Sequence, residues 1–232
     1  MIDDPLMSLM WEGICNGSDV SWYDAQAYCD TLTYGGYSDW RLPTIVELWA
    51  TPSADGCSSS TGYLGIWSST LYAGSTNYWA MSVGRPETQL YDLLGWNVRC
   101  VRDKVAQSHT TPSNPIQAPE RFSESTPVSG QTIVIDKVTE LVWRKTTQSG
   151  NWQTALQTCD SMNYAGYSDW RLPNINELLS LINYSKSSPA SDFPGIQANQ
   201  WSSTTYTYIS EYNKAWTVDF NHGSSVGSVK TT

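Results

Sequence analysis

One octapeptide occurs twice in this chain: Gly36-Tyr37-Ser38-Asp39-Trp40-Arg41-Leu42-Pro43 returns unchanged as Gly166-Tyr167-Ser168-Asp169-Trp170-Arg171-Leu172-Pro173, 130 residues later. The register extends in both directions. Trp22, Ala25 and Cys29 match Trp152, Ala155 and Cys159 at the same offset, and Trp67-Ser68-Ser69-Thr70 matches Trp201-Ser202-Ser203-Thr204 after a small insertion. A tandem duplication within 232 residues gives two domains of ordinary size, each able to close its own core. Between them, Pro112, Pro115, Pro119 and Pro127 lie among Ser, Thr, Gln and Asn with no apolar periodicity, which predicts a semi-rigid extended linker. The expected boundaries are residues 1–103 for the first repeat, 104–130 for the linker and 131–232 for the second repeat.

Charge restricts the partners. Lys and Arg total 13 against 22 Asp and Glu, and a net charge of −9 with no basic cluster argues against nucleic acid, heparin-like polyanions or an anionic membrane held by charge. The 12 Trp and 14 Tyr against 3 Phe make the aromatic content amphipathic, suited to wet surfaces as well as to cores. No apolar stretch is long enough to span a bilayer, and Met1-Ile2-Asp3-Asp4 does not begin a signal peptide. The five cysteines have no Cys-x-x-Cys pairing, and His109 and His222 are the only histidines, too few for a zinc or iron site. Disulfides are therefore expected, hence an oxidising compartment and a leader or upstream region not contained in this sequence.

The order of elements reads alike in both halves. Ile2-Asp3 and Leu9-Met10-Trp11 correspond to Ile135-Asp136 and Leu141-Val142-Trp143, two short strands. Ser21 caps a helix whose stripe is Trp22, Ala25, Cys29 and Leu32; Asn151 begins its counterpart, with Trp152, Ala155, Cys159 and Met162. After the octapeptide, Thr44-x-x-Glu47 and Asn174-x-x-Glu177 are the reciprocal caps of a second helix. Short strands follow at Trp67 to Thr70 and Tyr78 to Val83, and at Trp201 to Thr205 and Ala215 to Phe220. Two helices and several short strands define an α+β unit.

The first repeat closes with a strand, Asn97-Val98-Arg99-Cys100-Val101-Arg102, that has no visible counterpart in the second, where it should begin near or beyond Thr232. An incomplete chain is the simplest account of that difference. Cys29 on the buried stripe and Cys100 on the closing strand pair across about seventy residues, a closure that the chain-entropy view values at roughly 4 kcal/mol. Cys159 then lacks its natural partner. Cys15 and Cys57 either form a second bridge or both remain free.

These motifs together resemble the domain family typified by the C-terminal domain of the Legionella collagen-like adhesin, and the resemblance covers nearly all of both halves. It implies two tandem C-type-lectin-like domains, each with two helices flanking a small, mainly antiparallel sheet with long loops, in bacterial surface or secreted proteins. The known adhesin of that family binds sulfated polysaccharides; this acidic chain has few lysines to hold sulfate, so polysaccharide remains the expected ligand class without charge as the grip. A more distant resemblance runs to the sulfatase-modifying enzymes through Val20 to Cys29 and Arg41-Leu42-Pro43-Thr44. Those need two reactive cysteines near the C-terminal end, where only Cys100 stands. Calcium has no support either, because Trp96-Asn97-Val98 lacks the aspartate of a sugar-binding lectin and no Glu-Pro-Asn motif occurs.

Asp39, Arg41 and Glu47, with Asp169, Arg171 and Glu177, read as a structural corner whose carboxylates and guanidiniums satisfy loop backbone or each other. No catalytic triad, phosphate loop or recurring acidic pair is visible, so no enzyme activity and no cofactor are expected. The aromatics of the loops differ between the copies: Tyr63, Tyr72, Tyr78, Tyr91 and Trp96 against Tyr206, Tyr208 and Tyr212. They are the candidate contacts to a glycan or surface protein. The expected function is adhesion or recognition outside the cell or in the periplasm of a bacterium. Two alternatives stand beside it: a filament subunit in which a strand of another molecule fills the open edge of the second repeat, and an oxidase of the sulfatase-modifying kind.

Overall fold

The computed structural model describes residues 1–4, 8–50, 57, 65–82, 88–90, 96–104, 121–196, 198–206 and 212–230, with backbone alone at 17–19, 50, 82 and 88–90. The chain divides into two compact units, Met1–Thr111 and Pro112–Thr232, and each is α+β. Candidate residues Tyr63, Tyr91 and Tyr208, and most of the linker, lie outside the described residues.

The first unit runs β1 (Ile2–Asp4), β2 (Leu9–Trp11), β3 (Asn16–Val20), α1 (Trp22–Thr31), α2 (Ile45–Ala50), β4 (Gly65–Leu71), β5 (Tyr78–Ser82), β6 (Thr88–Leu90), β7 (Trp96–Val98) and β8 (Val101–Asp103). These strands form a three-stranded sheet ordered β1-β2-β8 and a five-stranded sheet ordered β3-β7-β4-β5-β6. The segment β7-β8 enters both sheets. β8 pairs antiparallel with β2, while β7 pairs antiparallel with β3 and parallel with β4. Helix α1 begins where Ser21 accepts the Asp24 N–H and returns its hydroxyl to the Asp24 carboxylate at 2.6 Å. Its apolar stripe places Ala25 and Cys29 in a core with Trp40, Leu42, Trp67, Val98 and Cys100. Cys29 and Cys100 form a disulfide with Cα atoms 5.6 Å apart, and Cys15 is bridged to Cys57.

The second unit runs β9 (Phe122–Val128), β10 (Gln131–Asp136), β11 (Val142–Arg144), α3 (Trp152–Asp160), α4 (Ile175–Leu179), β12 (Asn199–Thr205), β13 (Lys214–Asp219) and β14 (Ser224–Val229). Matched by sequence, β10 and β11 are the counterparts of β1 and β2, and β12-β13-β14 of β4-β5-β6. Among the described residues nothing occupies the places of β7 and β8, and the loop before α3, in the place of β3, is not a strand. On its other side the sheet gains β9, so the order is β11-β10-β9.

That added strand corrects the expected linker: residues 122–128 are not an extended connection but a strand paired along β10. Arg121, just before it, is buried. Its guanidinium grips Asp136 through Nε at 2.8 Å and Nη2 at 2.5 Å, and its Nη1 donates to the Ser180 carbonyl at 2.7 Å. The Pro and Ser content of 104–130 hid this anchor, because one buried arginine and a short amphipathic strand leave almost no periodic signal.

Burial alone would raise the Asp136 carboxyl, but Arg121, the Thr139 hydroxyl and the Val138 N–H together hold it below its ordinary value. A carboxyl depressed in the folded state contributes stability that is complete above its unfolded value, near pH 4, and is lost as the pH falls through the folded value. Arg121→Ala is therefore expected to destabilise the second unit by about 3–5 kcal/mol at neutral pH, since it strands a buried carboxylate. Calorimetry should show this loss shrinking below about pH 4, and a pH-independent loss would contradict it.

Candidate functional site

In the first unit the octapeptide is built around the closing segment. Gly36 lies at φ 86°, a left-handed conformation that a side chain resists, and turns the loop so that Tyr34 and Tyr37 bridge backbone to backbone. Trp40 drops into the core and donates its indole N–H to the Tyr34 carbonyl at 3.2 Å. The Arg41 backbone exchanges two hydrogen bonds of 2.9 Å with Val101 in β8. Its guanidinium makes a two-pronged bond to Glu47 at 2.9 and 2.8 Å and reaches Asp103 at 3.2 Å. These carboxylates outweigh the cost of burial and raise the arginine's affinity for its proton. Glu47 also accepts the Thr44 N–H at 2.7 Å, closing the cap of α2.

Asp39 faces Arg102, which donates from Nε at 2.7 Å and Nη2 at 3.0 Å, and the same guanidinium lies 3.7 Å above the Tyr37 ring. On the far side of the strand, Glu12 accepts from the Tyr28 hydroxyl at 2.6 Å and from the Cys100 N–H at 3.2 Å. Burial and that carboxylate push the Tyr28 phenol far above its ordinary range. Asp39, Arg41 and Glu47 thus form a corner, as the sequence suggests. What they satisfy is chiefly the closing strand rather than the loop itself.

Trp-Ser-Ser-Thr, read in the sequence as a repeated short strand, locks this corner to the sheet. Ser68 and Ser202 donate to the carbonyls of Trp79 and Trp216, and the N–H groups of Ser69 and Ser203 donate to the Pro43 and Pro173 carbonyls. Thr70 and Thr204 accept the first N–H of α2 and α4, while Trp22 and Trp152 donate their indole N–H to the Ser68 and Ser202 carbonyls. In both units the hydroxyls at the first serine and the threonine, with the backbone N–H between them, make these bonds.

The second unit keeps the receptor without the strand. Arg171 and Glu177 remain paired at 2.7 and 2.5 Å and Asn174 completes the cap of α4. Arg171 holds the Glu177 carboxyl below its usual range. The Arg171 side chain, however, is 59% exposed where that of Arg41 is 19% exposed. Asp169 makes no ion pair among the described residues. Trp143, Ala155, Cys159, Trp170, Leu172 and Trp201 are only half-buried, whereas their counterparts Trp11, Ala25, Cys29, Trp40, Leu42 and Trp67 are buried. These residues line a groove of about 470 Å³. Cys159 is a free thiol in its wall; burial raises its proton affinity and nearby Arg144 partly offsets the effect.

The candidate contact aromatics scatter. Trp96 is 5% exposed and packs edge-on to Trp67 over Gly65, where any Cβ would stand 1.4 Å from the indole. Tyr78 stacks on Trp22 at 3.5 Å, and buried Tyr206 lies 4.5 Å from Trp216 against Gly227. Trp96 and Tyr206 serve packing, a correction to their reading as ligand contacts, while Tyr78 is half-buried. Trp and Tyr cannot be sorted into core and surface by composition when they supply nearly all the aromatic bulk. Tyr72 is half-buried edge-on to Trp79, and Tyr212 is 69% exposed. Among the described residues no three of His, Cys, Asp and Glu stand together as metal ligands, and no helix is long and apolar enough to cross a membrane.

The two corners predict unequal costs for one change. Glu47→Gln should lower the stability of the first unit by about 2–4 kcal/mol, because Arg41 and the closing strand are left with a buried, poorly matched partner. Glu177→Gln should cost about 1 kcal/mol in the second, where Arg171 is largely in water. Denaturant melts of each variant measure both, and equal losses would contradict the role given to the strand.

No curated protein and no solved structure matches the chain. Residues 1–102 and 132–232 both match the family described as the Lcl C-terminal domain, so that the first match ends inside the closing strand and the second spans the uncovered groove. The chain belongs to the Lcl C-terminal domain family, in two tandem copies.

Proposed function

We propose that the chain is a non-enzymatic binding module, exported and displayed outside the cell or in the periplasm, that adheres to a glycan or a protein surface through its loop aromatics. The observation that carries this reading is that both copies match the Lcl C-terminal domain family across nearly the whole of each repeat, which supports an adhesin-like module. Two disulfides in the first unit fit an oxidising location. The C-type-lectin-like assignment draws support from the first unit's topology. Its opening strands β1 and β2 and its closing strand β8 share one sheet, and a disulfide ties the first helix to the segment joining β7 and β8.

Against the oxidase alternative stands the bridge to Cys29, which occupies Cys100, the cysteine that alternative would use near the C-terminal end of the first unit. The corner carboxylates Asp39, Glu47 and Glu177 are each held by a guanidinium, poor placement for proton transfer.

Grip by charge does not suit a chain of net charge −9. The contact is assigned to rings with an apolar face and a polar edge; of the candidate rings, Tyr212 in the second unit is exposed and Tyr72 in the first is half-buried. A glycan array probed with the intact chain should give hits that persist when salt rises several-fold, since screening removes only long-range charge attraction. Tyr212→Ala should weaken the best hit by about tenfold, the loss of one good ring contact. No hit on glycans or on extracellular matrix proteins, or hits abolished by salt, would overturn the reading.

A further inference from the structure

Helix α1 and the hairpin of β4 and β5 carry a run of touching apolar side chains at the surface of the first unit. Tyr23 is 75% exposed and meets Trp22 edge-on, their ring centroids 5.4 Å apart. Trp22, half-buried, lies flat on Tyr78, and Tyr78 is the cross-strand partner of Leu71, which is 46% exposed. The indole N–H of Trp22 is tied to the Ser68 carbonyl at 2.8 Å, so the ring against which Tyr23 rests is fixed. A surface ring held in this way loses little freedom when a ligand settles on it.

The second unit shows what the scaffold itself requires. Its residues at the places of Tyr23, Trp22, Tyr78 and Leu71 are Gln153, Trp152, Ala215 and Thr205. The one ring left there, Trp152, is covered from within by the Lys230 ammonium at 4.3 Å, which the Thr205 hydroxyl and the Tyr212 carbonyl hold in place. The helix, its cap and the hairpin form in both units, so core packing does not account for Tyr23 or Leu71. We infer that the ridge of Tyr23, Trp22, Tyr78 and Leu71 is a binding site for a neutral polysaccharide whose pyranose rings offer a C–H face clear of hydroxyls, as β-linked glucans do. This inference rests on the reading of the chain as a glycan-binding module, and adds to it a site and a class of sugar.

Area, rim and charge select that occupant. Two exposed and two half-buried side chains offer roughly 300 Å², well short of the about 800 Å² per partner of a stable protein interface. Among the described residues the Tyr23 hydroxyl has no hydrogen-bond partner, and the exposed Asp24 carboxylate accepts one side-chain bond, from Ser21. Such groups beside an apolar ring suit a ligand with C–H faces and a rim of hydroxyls. The charge next to the ridge is that of Asp24, in a chain of net charge −9, which disfavours sulfated or uronic chains.

Native gels cast with hydroxyethylcellulose, laminarin or heparin test the intact chain. At least one of the two glucans should retard it, to the same degree when salt rises several-fold, and heparin should not. Tyr23→Gln and Leu71→Thr introduce residues that the second unit already carries at those places, so thermal melts should be unchanged. Tyr23→Gln should weaken the Kd about tenfold, the loss of one good ring contact, and Leu71→Thr should weaken it less. Tyr23→Phe keeps the ring and should stay within about threefold, while Gln153→Ala should change nothing. If Tyr23→Gln lowers the melt, Leu71→Thr decides in its place. Retardation by neither glucan, stronger retardation by heparin, or undiminished retardation of the substituted chains overturns the inference. The glycan-binding reading survives any of these results if the array still gives salt-resistant hits that Tyr212→Ala weakens, and falls with the inference if the array is blank.

Discussion

The fold of each repeat is organised around a place for one closing strand. Its pull is ionic at the corner and apolar in the groove: Arg102 lies between Asp39 and Tyr37, and Arg41 holds the strand's backbone while Glu47 holds Arg41. Val98, Val101 and Cys100 complete the core that α1 begins. A charged residue this deeply placed needs its donors met, and each of the three guanidinium nitrogens of Arg102 donates, two to Asp39 and one to the Met10 sulfur. The unchanged octapeptide is thus a docking surface within the domain as much as a turn.

Comparison of the two units separates what the scaffold needs from what the strand adds. Caps, the Trp-Ser-Ser-Thr hydrogen bonds and the arginine–glutamate pair persist without the strand. What changes is burial of the surrounding rings and aliphatic groups, together with the loss of β-pairing ahead of α3. On its opposite edge the second unit has β9 and the buried Arg121–Asp136 pair. Even the exposed face of the first helix's tryptophan is covered differently, by Tyr78 over Trp22 and by the Lys230 ammonium over Trp152.

Local chemistry with a fixed spacing was legible in the sequence. Ser21 and Asn174 announce their helices because a capping side chain must sit a set distance from the N–H it accepts, and Cys29 and Cys100 announce their bridge because one lies on a buried stripe and the other on a strand that must return to it. Partners brought together only by topology were not. Nothing at Arg102 names Asp39, 63 positions away, and nothing at Arg121 names Asp136. The aromatic assignments failed for Trp96 and Tyr206 because a ring beside a turn looks the same in sequence whether a glycine such as Gly65 or Gly227 lets it inward or solvent receives it.

The Cys29–Cys100 bridge also sets how the first unit bears mechanical load. Tension arriving from the C-terminal side at Lys104 can peel β8 from β2 one residue at a time, but only as far as Cys100. From there the pull passes through a covalent bond into α1, and the rest of the unit is shielded from unravelling at that end. In the second unit, tension from the N-terminal side meets Arg121 instead, a clamp of hydrogen bonds that yields where a disulfide does not. The two repeats share a plan, yet under force from the segment between them they are unequal springs.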